Sequence, residues 1–180
     1  MKLFTLILFL LPLSLHGIEE KVKIKAIDLL KPLKQNLMQT LQSEIKAKGI
    51  IGGIEACQIE APKIAEALQE KTKKIELGRT SHKLRNSNNA PRDWVKPYLK
   101  EFVSSGKIPP VQVVRLSGER YGYLEPIMLT QPLCLQCHGN EIESEVMVRL
   151  KALYPNDDAA GFKMGEFRGL FWVEMDLTEI

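Results

Sequence analysis

The sequence predicts an α+β protein: an antiparallel sheet flanked by helices and preceded by a long N-terminal helix. Helical apolar periodicity dominates the first half, and two strand-like runs split by a tight turn, with a third near the end, fill the second. No regular alternation of strand and helix joins the two halves, which argues against a parallel sheet. The 180 residues, 44% hydrophobic and 26% charged, have the length of one domain and suffice for a substantial core.

Residues 1–17 stand apart. Met1-Lys2 gives a short positive start, an apolar run from Leu3 to Leu15 follows, and His16-Gly17 ends it. The run is too short to span a bilayer as a lone helix and reads as a secretory signal peptide cleaved near Gly17. Periplasmic export is the expectation; left uncleaved, the same segment would anchor the chain in a membrane. Removing Lys2 with it leaves 24 basic residues (25 − 1) against 22 acidic ones, so the mature chain is near neutral and suggests no nucleic-acid partner.

From residue 18 to 48 the N-terminal helix carries Ile24, Ile27, Leu30, Leu33, Leu37, Leu41 and Ile45 at steps of three or four. That stripe suits core packing, with pairing to a second copy, a homodimer, left open. Pro32 is expected to kink or divide the helix. Gly49 to Gly53 breaks it, Gly52-Gly53 giving the freedom to turn. Residues 49–180 form the main domain. In it, Ile54 to Pro62 leads into a second helix running to about Lys74, which puts Cys57 at or near a helix N-terminus, where the dipole favours a thiolate. Read alone, Cys57 is equally a small buried apolar residue.

Residues 75–86 turn polar and basic, and Ser87 to Pro91 is a turn cluster. A third helix is expected over about Arg92 to Ser105, with Trp94, Tyr98, Phe102 and Val103 inward and Pro97 disturbing it. Val111 to Leu116 and Tyr121 to Leu129 flank Ser117-Gly118-Glu119-Arg120 and predict a hairpin. Glu141 to Tyr154 suits a short amphipathic helix, and Arg168 to Leu177 a last strand.

Between hairpin and helix lies Cys134-Leu135-Gln136-Cys137-His138, reached through the turn-like Thr130-Gln131-Pro132-Leu133. Two thiols spaced by two residues and followed at once by an imidazole form the attachment pattern of a c-type haem. Each thiol adds to one vinyl group of the same porphyrin, and the adjacent histidine is the proximal iron ligand. A redox dithiol, a disulfide or half of a zinc site would also use C-x-x-C, but no second Cys/His pair at zinc spacing is present, and no β-α-β unit frames the motif. Export and the motif support each other. With Cys134 and Cys137 used, one of the three cysteines, Cys57, is left over.

Several blocks together resemble one family. Ile54 to Pro62, Gly78 to Asn86 with Asn89-Ala90-Pro91, Cys134 to Gly139, Tyr154-Pro155 and Phe167-Arg168-Gly169 are similar to the Tll0287-like (DUF3365) family of exported bacterial haem c proteins, roughly from residue 37 to the end. The resemblance implies a PAS-like fold with one covalent haem c, ligated by His138 on one side and the sulfur of Cys57 on the other. Without it, Cys57 would rank beside Met128, Met164 and His82 as a second axial ligand. Arg79 and Arg85 lie in a matching block with Lys83 and are candidates to pair with the haem propionates, or are solvated strand residues. His82 reads best as a surface or hydrogen-bonding residue. Tyr121, Tyr123, Phe162 and Trp172 could wall the haem, although aromatics in strands are more often plain core.

A haem with two protein ligands has no open coordination position for O₂ or peroxide chemistry, so the chain is not expected to be an enzyme. It suits a redox, electron-transferring protein with an unknown redox or signalling partner. The alternatives are a haem-based redox or gas sensor, or a haem-free ligand-binding or dimerisation module in which Cys134 and Cys137 pair as a disulfide.

Overall fold

The computed structural model describes residues 13–70 and 74–180; of the expected signal segment, residues 1–12 lie outside the described residues. Four strands form one antiparallel sheet: β1 (Ile75–Thr80), β2 (Gln112–Ser117), β3 (Arg120–Met128) and β4 (Phe167–Asp176), in the spatial order β1-β4-β3-β2. Helix α1 (Leu13–Gln69) precedes the sheet, α2 (Lys96–Ser105) joins β1 to β2, and α3 (Pro132–His138) and α4 (Ser144–Leu153) lie between β3 and β4. The protein is α+β, with helices around an antiparallel sheet and a long N-terminal helix.

The sheet separates two cores because strand side chains alternate between faces. On one face, Ile75 and Leu77 of β1, Tyr121 and Tyr123 of β3, and Val173 and Met175 of β4 pack on Val22, Ala26, Leu30 and Leu33 of α1. On the other, Leu124, Leu170 and Trp172 pack on Val95, Leu99 and Phe102. A salt bridge from Lys34 to Glu125, 2.7 Å long, ties α1 to β3. The second face also buries a carboxylate: Glu174 accepts from the Trp94 indole at 2.5 Å and from Arg120 at 2.9 Å. A third cluster joins Ile54 of α1 to Val146 and Leu150 of α4 and to Tyr154, with Cys137 packed against it.

The hairpin and the last strand match the sequence expectation; several other elements differ. Helical backbone continues through Pro32 and Pro62, and the one non-helical residue within α1 is Gly49, at φ 70° and ψ −171°. A side chain is strained in that region, so glycine is what permits the break. Gly52 and Gly53 are helical instead. Their role is close approach, since a Cβ on Gly53 would sit 2.6 Å from the Ile45 side chain. The buried stripe of α1 is also shifted in phase. Val22 and Ala26 are fully buried, whereas Ile24 and Ile27 are exposed, because the helix presents residues 22, 26, 30 and 33 to the sheet.

The basic stretch after residue 74 contains a strand, β1, whose pairing with β4 comes from the far end of the chain. Helix α2 starts at Lys96 with Pro97 in its first turn, where proline costs no hydrogen bond. Leu99 and Phe102 are its buried residues, and Val103 faces solvent.

Leu30→Ala, which empties a fully buried site between α1 and the sheet, should cost about 2–5 kcal/mol in urea unfolding. Gly49→Ala should cost about 1–3 kcal/mol through backbone strain alone, with no change in the slope of the transition.

Candidate haem site

The five-residue motif forms the C-terminal part of the short helix α3, started by Pro132 at its first turn after the extended Gln131. It ends at Gly139, where a Cβ would lie 2.5 Å from the Leu135 carbonyl oxygen. A glycine directly after the histidine thus lets the chain leave the helix at once. The departing strand is caught by the loop before β4: the Phe162 amide donates to the His138 carbonyl and the Gly161 amide to that of Gly139, both at 2.9 Å.

His138 is oriented by its neighbour across this loop. Nδ1 lies 2.7 Å from the carbonyl oxygen of Ala159. A carbonyl can only accept, so Nδ1 carries the proton and donates, and Nε2 is left as a lone pair with no hydrogen bond from the described residues. His138 lines a cavity, yet burial, then the guanidiniums of Arg168 and Arg85, push its pKa down to about 3, so the ring is neutral. This is the hydrogen-bonded form in which histidine ligates a metal.

That cavity has a volume of about 290 Å³ and is lined by Cys57, Cys134, Cys137, His138, Arg79 and Arg85. All six residues singled out by the sequence therefore meet in one place. Its walls come from both arms of the broken helix, Met38, Leu41 and Ile45 before Gly49 and Ile50, Gly53 and Ile54 after it, and from the end of β3. A second cavity of about 300 Å³ adjoins it and shares Cys57, Arg79, Met38, Leu41 and Ile127. The three cysteines are half-buried and unbonded to one another. Among the described residues, no group of three or more His, Cys, Asp or Glu side chains is placed to hold a metal ion.

Cys57 does not occupy a helix N-terminus. It lies two turns beyond Gly49 in continuous helix, out of reach of a dipole effect confined to the first turn. Its position in the cavity wall is what matters. The Cys137 thiol is raised to about 11 by burial, against a lowering by Arg85, and stays protonated at neutral pH.

The charged wall of the cavity is unbalanced. Arg85 pairs with Asp157 at 3.0 Å, both nearly buried, and donates to the Cys137 carbonyl at 2.6 Å. Arg79 has no hydrogen bond or ion pair from its side chain among the described residues. A further arginine, Arg168, also lines the cavity; it donates to Ser81 Oγ and to the Lys83 carbonyl and forms no ion pair with a carboxylate among the described residues. Burial and its neighbours Arg85 and Arg79 lower its pKa to about 10. Three guanidiniums thus face one carboxylate. In the sequence Arg168 only opens a strand-like run and stands in a block resembling the family; a lone arginine in a strand gives no local sign that β4 brings it to the cavity.

Of the other candidates, Met128 lines the cavity, while His82 and Met164 do not. His82 is partly buried: it sits between Phe162 and Phe167, with centroids 5.6 and 5.8 Å away, and its buried Nδ1 has no partner among the described residues. Tyr121 and Tyr123 belong to the core under α1, and Trp172 to the core under α2. Phe162 lies edge-on to His138 at 6.4 Å, behind the wall. Tyr154, not predicted, lines the cavity in their place.

A family model described as Tll0287-like matches residues 17–175. The chain belongs to the Tll0287-like family. Among solved structures, the protein is similar to one described as the crystal structure of the cyanobacterial heme-protein Tll0287, at a TM-score of 0.62 and 21% identity, over 87% of this chain and 95% of that one. At that identity the likeness is one of fold. Comparison with curated proteins gave no match.

For this Tll0287-like protein, the lowered pKa of His138 has a defined sign in the haem-free chain. The folded state refuses a proton that the unfolded chain takes up below about 6.5, so stability should fall as pH drops from about 6.5 toward 3. Denaturation midpoints between pH 7 and 4 should show this slope, and His138→Gln should flatten it.

Proposed function

We propose that this protein is an exported, periplasmic haem c protein that transfers electrons and is not an enzyme. One haem is joined through Cys134 and Cys137 and ligated by His138 and Cys57. The observation that supports it is the single cavity in which both thiols, an imidazole with a bare Nε2 and the leftover thiol converge. The likeness in fold to a protein described as a heme-protein, and the family membership, agree with it.

A haem bound there supplies a one-electron iron couple. The chain does the rest. Cys134 and Cys137 fix the group to α3, and the 159–162 loop holds His138 in one tautomer. Cys57, as an anionic sulfur donor, stabilises the ferric state and lowers the reduction potential. Arg79 and Arg168, which have no carboxylate of their own, offset the propionates. The apolar residues from α1 exclude water and keep the cofactor's dielectric low. Export is supported by the signal-like segment and by the start of the family match at residue 17. No helix among the described residues is long and apolar enough to cross a membrane. The partner in this reading is another redox protein.

One observation favours a sensing role as a second reading. The adjoining cavity, also lined by Cys57, gives that side chain space beside the site. A thiol that leaves the iron on reduction would open one coordination position to a small diatomic ligand.

Cys57→Ala should retain covalent haem, change the ferric absorption spectrum and raise the potential in a redox titration. A spectrum and potential equal to wild type would remove the cysteine ligand. His138→Ala should lower the yield of loaded protein when co-expressed with a cytochrome c maturation system, measured as haem per chain.

A further inference from the structure

The acceptor of the His138 proton is itself gripped by a buried ion pair. The Ala159 carbonyl, which takes the Nδ1–H of His138 at 2.7 Å, also receives Nη2 of Arg85 at 3.3 Å. The same Nη2 donates to the Cys137 carbonyl at 2.6 Å, within the attachment helix. Asp157 closes the arrangement from the other side: Oδ2 accepts from Arg85 Nε at 3.1 Å, and Oδ1 accepts the Ala159 amide at 2.8 Å. Both side chains of the pair are about 10% exposed, so the charges are held in a poorly screened environment.

We infer that the Arg85–Asp157 pair positions His138, by holding the Ala159 peptide so that its carbonyl keeps the proton on Nδ1 and by limiting how strongly that carbonyl accepts. This rests on the haem reading for its functional meaning, though not for its geometry. An arginine spent in this way is not free to serve as a propionate partner, which leaves that task to Arg79 and Arg168.

A carbonyl oxygen has two lone pairs and can accept from His138 and Arg85 together. The second, charged donor draws electron density from the oxygen, so the imidazole N–H is held less strongly and the ring donates less to a metal at Nε2. Because the pair also holds Cys137, it fixes Ala159 and the motif in one frame. Losing Arg85 should therefore free the ring to take either tautomer, and it should strengthen donation from those rings that keep the bond.

The test compares wild type, Arg85→Gln and Arg85→Lys, each as the mature chain. Ring ¹⁵N NMR of the haem-free protein reports the His138 tautomer, and redox titration of the loaded protein reports the potential. Wild type should show a single Nδ1–H tautomer. Arg85→Gln should show both tautomers and a lower potential, and Arg85→Lys, which restores a cationic donor, should return toward wild type in both. A single unchanged tautomer in Arg85→Gln overturns the inference, as does an Arg85→Lys protein no closer to wild type than Arg85→Gln. If Arg85→Gln does not fold, Arg85→Lys decides: its single tautomer supports the inference and a mixture in it overturns it. Failure of the haem reading shows separately, as wild type that takes up no haem, and leaves the tautomer result standing.

Discussion

Everything at the site depends on the break at Gly49. A straight helix rises about 1.5 Å per residue, which would put Met38 and Cys57 about 28 Å apart. Both nevertheless line one cavity, because the backbone departs from helix at that glycine and Gly53 packs against Ile45 and Leu41. The first arm is held to the sheet by Val22, Ala26, Leu30 and Leu33, and the second to α4 through Ile54. Two independent cores therefore fix the angle between them. Cys57 is placed by packing and not by local preference.

Electrostatics reinforces this placement. The site gathers three guanidiniums and a neutral, buried imidazole against one carboxylate, and no further carboxylate among the described residues pairs with them. Burying Arg168 next to Arg79 and Arg85 costs stability, as its lowered pKa records. Structures keep such an imbalance where an anionic group belongs. The charged side of the cavity is formed by β1, β4 and the loop after β1, and its apolar side by α1.

Much of this was legible in the sequence. The motif is five adjacent residues whose spacing is set by the chemistry, and the hairpin is announced by Ser117-Gly118-Glu119-Arg120 between two apolar runs. Other features depend on distant partners. β1 has only Ile75 and Leu77 as buried apolar residues, too few to show a period, and its pairing with β4 lies nearly a hundred residues away. In α1 the buried stripe runs through Val22 and Ala26 while the larger Ile24 and Ile27 are exposed, so side-chain size in the sequence does not reveal which face meets the sheet. Pairing of Arg85 with Asp157 and the aim of Arg168 are likewise set by tertiary contact alone.

The central claim is that one haem is covalently joined to Cys134 and Cys137 in this cavity. The most direct measurement is the optical spectrum and intact mass, after denaturation, of the protein exported from a host competent to mature c-type cytochromes. A Soret band and a mass equal to the mature chain plus one haem are the expected result. A colourless protein at the bare polypeptide mass would contradict the account.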